Sequence, residues 1–415
     1  MTEHDDDRGL LRLLDHDPPG TSAVDVRRAM TEGRRRRRIR RAFTYAGAAG
    51  MSIAVVAGGT LAAGPLRTGT PDRWATAPAG VGSSPSDAPP PVVTGDAPLA
   101  PTRCAISKLP VPDGVTMALV TGADPSGRIL LGRSYPRGGA YQVLVWVAGE
   151  PTKVRMPGDQ TLRDVTTDGL AVGTTYQRLG AGEEGFGPVP YAYSGGTLTR
   201  LRGVTFGEAN AVNEAGKIVG RDERTDRPVA WTSPVSEAVP LPLPAGARSG
   251  TAHAVDEDGT VVGSVLTDGG RSGRPYVWFP DGTHRELPMP TTVGATDGRA
   301  FTIRNGWATG VLSKDPASSP SAVRWNVRTG EVRVFPEFNI RASTANAHGW
   351  QVGTDRQGRA MLLADGGPVT LPDLAKHEPG GLTNIAETVS DDGRTIGGQS
   401  DDASGTIRAV VWRCT

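Results

Sequence analysis

The groups able to do chemistry in this 415-residue chain are few and set far apart. Its six histidines, His4, His16, His253, His284, His348 and His377, form no His-x-x-x-His or His-Glu-x-x-His pair, so local spacing offers no zinc site. Two acidic runs, Asp256-Glu257-Asp258 before Gly259 and Ser390-Asp391-Asp392 before Gly393, invite a calcium reading. A calcium loop needs six or more oxygens, usually from a longer alternating acidic run with a later Glu. These runs supply two or three, so they read as tight turns in which a short acidic side chain holds the backbone and Gly takes the left-handed conformation. No Gly-x-Ser-x-Gly elbow and no phosphate-cradling glycine loop occurs. The residues therefore assign no catalytic, metal or cofactor role. Two cysteines, Cys104 and Cys414, are too few for a disulfide-dense scaffold and fit no zinc spacing.

The elements that would position these groups come from a repeat. Gly-x-x-[Val/Thr/Ile]-Gly occurs at Gly169–Gly173, Gly216–Gly220, Gly259–Gly263, Gly306–Gly310, Gly349–Gly353 and Gly393–Gly397, with a longer copy at Gly127–Gly132. Successive closing glycines lie 41 to 47 residues apart, the period of a propeller blade. Each unit reads as four strands. An apolar strand ends in a turn, a second carries the closing Gly, a third ends on an aromatic, and a fourth runs to a leucine-proline or similar step. The aromatics are Trp146, Tyr193, Trp231, Trp278, Trp325 and Trp412, with "AMLLA" in the sixth unit. Their fixed place marks them as packing between blades rather than as a stacking platform for a ligand. Abundant Gly (56) and Pro (34), with alternation and β-branched residues, favour strands and turns over helices. The expectation is an all-β, seven-bladed β-propeller over residues 104–415.

The seventh unit stops after its third strand, at "RAVVWRCT", while "CAISKLPVP" (Cys104–Pro112) is a fourth strand with no first three. Pairing the two termini in one blade closes the ring and removes its open edges. It also sets Cys104 and Cys414 on adjacent strands, as a disulfide suited to an oxidising compartment. In such a fold the strand 2–3 and 4–1 connections share the face bearing the central funnel. The longest strand 2–3 connection, "YQRLGAGEEGFGPVPY" (Tyr176–Tyr191), brings Arg178, Glu183, Glu184 and Phe186 together on a glycine-rich backbone, and reads as a rim of the ligand face.

Upstream of the repeat, residues 1–41 form a short cytoplasmic segment with eleven Arg against eight Asp and Glu, seven of those Arg within Arg34–Arg41. Residues 42–66 carry no charge and, at about 1.5 Å per residue, span a hydrocarbon core as a transmembrane helix. The basic flank puts the N-terminus in the cytoplasm and the repeats outside. Arg40-Arg41-Ala42-Phe43 offers the alternative of a twin-arginine export signal that is cleaved. Residues 67–103, rich in Pro, Ala, Gly and Ser, read as a disordered stalk. The rest of the chain is near neutral, so nucleic acid is not an expected partner.

The repeats "AVNEAGKIVGRDERTDRPVAW" (Ala211–Trp231) and "AVDEDGTVVG" (Ala254–Gly263) resemble those of the extracellular HAF repeat family, although the His-Ala-Phe triplet is missing from every copy. The resemblance implies a propeller fold and surface exposure. The N-terminal head looks like those of actinobacterial membrane proteins, some of which resemble anti-sigma regulators, but residues 1–41 are short and hold no Cys. The function expected is a membrane-anchored, extracytoplasmic module that binds or senses a protein, glycan or small-molecule ligand at the cell envelope. The alternatives are a lyase or hydrolase in the central funnel, or a regulator signalling through the cytoplasmic head.

Overall fold

Short alternating runs punctuated by glycine turns build meanders, because each strand is too short to bury both faces alone and pairs with the next one along the chain. The structure, a computed structural model, describes residues 98–135, 141–178, 186–267, 272–314, 320–335, 338, 344–375 and 383–415. Among the described residues there are seven four-stranded antiparallel sheets. Blades 1 to 6 occupy residues 118–154, 159–200, 207–240, 249–286, 297–335 and 344–370, each running in chain order from inner to outer strand. Blade 7 takes three strands from the C-terminus, Asn384–Val389, Thr395–Asp401 and Ile407–Cys414, and its outer strand from the N-terminal side, Cys104–Lys108. The all-β propeller of seven blades and its mixed closing blade are as the repeat predicts. No described helix is long and apolar enough to cross a membrane. The segment 1–41, the span 42–66 and residues 67–97 of the stalk lie outside the described residues.

The closing strands pair in register from Cys104↔Cys414 to Lys108↔Val410, and Cys104 and Cys414 form the expected disulfide with their Cα atoms 4.0 Å apart. Residues 102 and 103, expected in the stalk, already belong to this seam. The Thr102 and Arg103 amides donate to the Thr415 carbonyl at 2.8 and 3.2 Å, and the Thr415 amide donates back to Arg103. The exchange makes 103/415 a hydrogen-bonded pair. It leaves 104/414 as the neighbouring non-hydrogen-bonded pair, where strands come closest.

The repeated Trp and the leucine-proline step prove to be two halves of one contact. The indole N–H of each third-strand Trp donates to a carbonyl at the end of the preceding blade: Trp146 to Pro110, Trp231 to Arg202, Trp278 to Pro242, Trp325 to Pro288 and Trp412 to Pro372, at 2.6–2.9 Å. All five indoles are at most 3% exposed, so each seam gains a large apolar burial and loses no buried donor. Blade 6 lacks a third-strand Trp; its buried Trp350, just before the second strand, donates to Asp365 of its own blade at 3.0 Å and packs against Gly393 of blade 7.

The closing glycine exists for a close approach. A Cβ built on Gly220 would overlap the Glu208 carbonyl of the inner strand, where an extra residue bulges the pairing between Ala209 and Ala211. The same bulge recurs in blades 1, 2, 4, 5 and 7. In blade 7 the residue at this spot is Gly398, the register partner of Ala386, and not the expected Gly397. The turn before it is one residue longer, as before Gly132 in blade 1, so counting from the turn glycine lands one position short.

Candidate functional site

The two faces of the disc are built differently. On one, the turns between inner and second strands are tied into a ring. The Arg128 guanidinium donates to the Thr167 carbonyl, Glu214 accepts from the Thr167 amide and hydroxyl, and Glu257 accepts from the Glu214 amide. Asp256 accepts from the Asn305 and Gly306 amides, and the Asn305 side chain donates to Ala347. Asp391 accepts from the Ala347 amide, and its own amide donates to Pro125, which returns the ring to blade 1. The acidic runs that looked like calcium loops are these staples. Asp258 and Asp392 hold their own turns, through the amides of Thr260 and Arg394.

Blade 5 breaks the pattern. Its turn is one residue shorter, and Arg304 pairs directly with Trp307 where other blades begin the turn. From there the Arg304 guanidinium bonds Glu257 of blade 4 and reaches Asp391 of blade 7 at 2.8 Å, passing blade 6. Burial works against its charge, but the hydrogen bonds and charges of Asp391 and Glu257 win and raise its pKa. Asp164 of blade 2 lies near the same cation. Burial pushes its carboxyl up to about 7, against two backbone N–H bonds from Val212 and Val165 that favour the charged form. Arg304 thus ties blade 5 to blades 4 and 7 at the turn face.

The opposite end is the mouth. Among the described residues, inner-strand bulges in six blades turn one side chain each toward the channel: Thr121, Arg163, Asn210, His253, Phe301 and Glu387. Contacts link neighbouring blades at this level. Thr121 donates to Leu162, Arg163 to the Asn210 side chain at 3.1 Å and Asn210 to Ala252, while the His253 and Phe301 rings meet edge to face at 5.6 Å. One step closer to the mouth, Glu208 sits beside Arg163 at 3.5 Å, and Arg221 is its register partner on the second strand. Glu208 is 7% exposed and its Oε1 has no hydrogen bond. Burial and the charges of Arg299, Arg163 and Arg221 hold His253 down to about 3, so it is a neutral imidazole at physiological pH. Burial, then the neighbouring Glu208, pushes Glu223 up to about 7. Tyr176 is likewise raised, by burial first and Glu208 next.

Of the residues picked from the longest connection, Arg178 and Phe186 form the last register pair of a hairpin whose strands, Ala171–Arg178 and Phe186–Ser194, extend well past the sheet. Much of the expected loop is therefore strand, because Tyr176 pairs with Pro188 and Gln177 with Gly187, while the Gln177 side-chain amide donates to the Tyr191 hydroxyl at 3.1 Å. Phe186 is 56% exposed at the mouth side. Behind it Gly187 packs on Phe206, over which the Arg224 guanidinium lies at 5.0 Å. Glu183 and Glu184 lie outside the described residues. Elsewhere, His284 bonds the Tyr276 hydroxyl at 2.6 Å and His348 stacks on Trp350, so the described histidines do not converge. Among the described residues no three His, Cys, Asp or Glu side chains come together as a metal site.

Motif reading missed the channel residues, since Arg163, Glu208, His253 and Arg299 belong to no motif. A positional signal was present: the bulge residue falls 9 to 11 places before each closing glycine, as with Arg163 and Gly173 or His253 and Gly263.

Neither a family model nor a curated protein matches the chain. Among solved structures it is similar to YCF48 bound to D1 peptide, at 9% identity over 77% of this chain and 97% of that one, with a TM-score of 0.45. It is similar to virginiamycin B lyase from Staphylococcus aureus at 14% identity, over 75% and 99% of the two chains, with a TM-score of 0.47. Similarity to TolB from Acinetobacter baumannii is 12%, over 68% and 78%, with a TM-score of 0.36. Likeness at this level assigns no activity, and the chain stands, on its own sheet topology, as a seven-bladed β-propeller closed by a disulfide.

Proposed function

We propose that the protein is a membrane-anchored recognition module of a bacterial cell envelope. In this reading the chain crosses the membrane once at residues 42–66, with the stalk holding the propeller outside, and binds its ligand at the mouth of the channel. One observation carries the binding site: the two faces differ in kind. The turn face spends its acids and amides on a closed ring of blade-to-blade bonds. The mouth face presents an exposed Phe186 and the polar wall of Arg163, Glu208 and His253, on a scaffold fixed from behind. Variable connections on a rigid frame are where recognition resides. The disulfide and the HAF-like repeats support an extracytoplasmic location.

Two measurements test the reading. Impermeant biotinylation of intact cells expressing the full chain with tags at both ends should label the C-terminal tag alone, and labelling of both tags or neither refutes the topology. N-terminal sequencing of the mature protein decides between an anchor and a cleaved twin-arginine leader. For the face, glycan and peptide arrays probed with the full chain should give hits that Phe186→Ala together with Arg178→Ala abolishes. Hits indifferent to that change place the ligand elsewhere.

A second reading, a lyase or hydrolase, is favoured by one feature. Glu223, a carboxyl held near 7, stands with Tyr176 and Arg163 around Glu208, a combination suited to moving a proton at neutral pH. Turnover of an array hit, lost in Glu223→Gln with binding retained, would move the assignment to enzyme.

A further inference from the structure

At the mouth end of the seam between blades 2 and 3, the strand ladder collects two carboxyls on one sheet face. Glu208 stands opposite Arg221, and the Glu223 amide donates to the Phe206 carbonyl at 2.9 Å, which extends the ladder by one pair. Opposite residues and their second neighbours share a face, so Phe206, Glu208, Arg221 and Glu223 lie on one side of blade 3. That side looks at blade 2, because Glu208 meets Arg163 at 3.5 Å and the Phe206 ring covers Gly187. From blade 2, the Thr174 hydroxyl accepts from the Ala209 amide, so Tyr176, two residues on, also faces the seam.

The charges in this seam are unevenly matched. Arg163 serves Glu208, and Arg221 binds Asp226 at 2.5 Å. Among the described residues no hydrogen bond or ion pair reaches the Glu223 carboxyl. Its own blade surrounds it with Glu208, Arg221, Asp222, Arg224 and Asp226. Across the seam stand Arg163, Tyr176 and, beyond them, Asp159, which Arg133 holds at 2.8 Å. Burial and the charge of Glu208 keep Glu223 protonated up to about 7. Its ladder partner Phe206 lies between Gly187 and the Arg224 guanidinium, 5.0 Å from the ring, and Gly187 is followed back along the strand by the exposed Phe186. Arg224 has no acid partner among the described residues. An ionised Glu223 needs a cation or water, and both come at the expense of the contacts on Phe206.

We propose that the Glu223 carboxyl is a pH-sensitive latch beneath the rim of the mouth. Protonated, it leaves Phe206 in place to seat Phe186 and Gly187 against blade 3. Ionised, it draws Arg224 off the Phe206 ring, admits water to the seam and unseats that strand edge. The mouth thus holds Phe186 firmly in mildly acidic surroundings and loosely in alkaline ones. The latch itself stands on the seam; its effect on a ligand rests on the recognition reading above.

The test is fluorine NMR of the full chain labelled with 4-fluorophenylalanine, the two signals of interest being identified by Phe186→Leu and Phe206→Leu. Both should shift together between pH 5 and pH 9, with a common midpoint near 7. Glu223→Gln should hold them at their low-pH positions throughout. Glu223→Asp, which keeps an ionisable group, should still titrate, at a displaced midpoint. Glu208→Gln should move the midpoint to lower pH, since the Glu208 charge is one cause of its height. Signals that stay flat, or that titrate unchanged in Glu223→Gln, overturn the proposal. An array ligand bound through Phe186 should lose affinity by about threefold or more from pH 6 to pH 8 in the wild type and none in Glu223→Gln. If the signals titrate while no array ligand binds, the latch stands and the recognition reading falls. If ligands bind through Phe186 while the signals stay flat, the latch falls and the recognition reading stands.

Discussion

Removing the disulfide asks how the ring stays shut. Replacing Cys104 and Cys414 by Ala takes away a bond that spans 310 residues of sequence. The chain-entropy relation sets its ceiling at about 5–6 kcal/mol. The outer strand it holds is weakly seated. Of Cys104–Lys108 only Cys104 and Ile106 are turned inward, the other three residues being exposed, and Leu109 follows with 8% exposure. Burying Ile106 and Leu109 contributes roughly 3–6 kcal/mol and the strand's ladder hydrogen bonds a further 2–5 kcal/mol. Ordering six residues of backbone costs roughly 6–12 kcal/mol, so without the covalent tie the strand is near balance. The expected result is a drop of the melting temperature by up to about 8 °C, from an unfolding entropy near 2.1 cal/mol/K per residue. Hydrogen exchange should show where it begins, with the amides of Leu109 and Thr415 losing protection first, since they donate across the seam to Ala409 and Arg103. Differential scanning calorimetry of the wild type with reductant should match the double variant, and without reductant it should keep the higher melting temperature. An unchanged melting temperature and unchanged exchange at Leu109 would refute the reasoning, because the strand would then be held by its contacts alone.

Three further outcomes follow from the same structure. Trp325→Phe removes the donor to Pro288 and leaves a void at the blade 4–5 seam, at a cost of about 2–4 kcal/mol measurable by chemical denaturation. Gly220→Ala forces a methyl into the Glu208 carbonyl and should cost about 3 kcal/mol, whereas Gly246→Ala, where nothing lies near, should cost only the strain of its left-handed φ of 84°. Glu223→Gln tests the raised carboxyl. Between the unfolded value near 4.5 and the folded value of about 7, the native state keeps a proton that the unfolded chain releases, so wild-type stability falls as pH rises through that window. The variant lacks this loss and should gain on the order of 1–3 kcal/mol relative to wild type at pH 8 and nothing at pH 4, by denaturant melts at both pH values.

The sequence alone determined the parts of this protein that repeat. Seven closing glycines, the Trp and the leucine-proline step are forced by contacts that recur from blade to blade, and the two half-blades complete one such unit, so the same residue types return with similar spacing. Blade number, ring closure and the Cys104–Cys414 bond were legible for that reason. Gly398 in place of Gly397 was not, because a one-residue change in turn length is absorbed locally and only the register shows which glycine meets the inner strand. The candidate site was less legible still. Arg163, Glu208, His253 and Arg299 come from four blades, and Arg304 meets an aspartate 87 residues away. Nothing local selects these residues, since a side chain entering the channel packs against no repeated partner. Only closure of the ring, which brings equivalent positions of separate blades around one axis, decided that they share a wall.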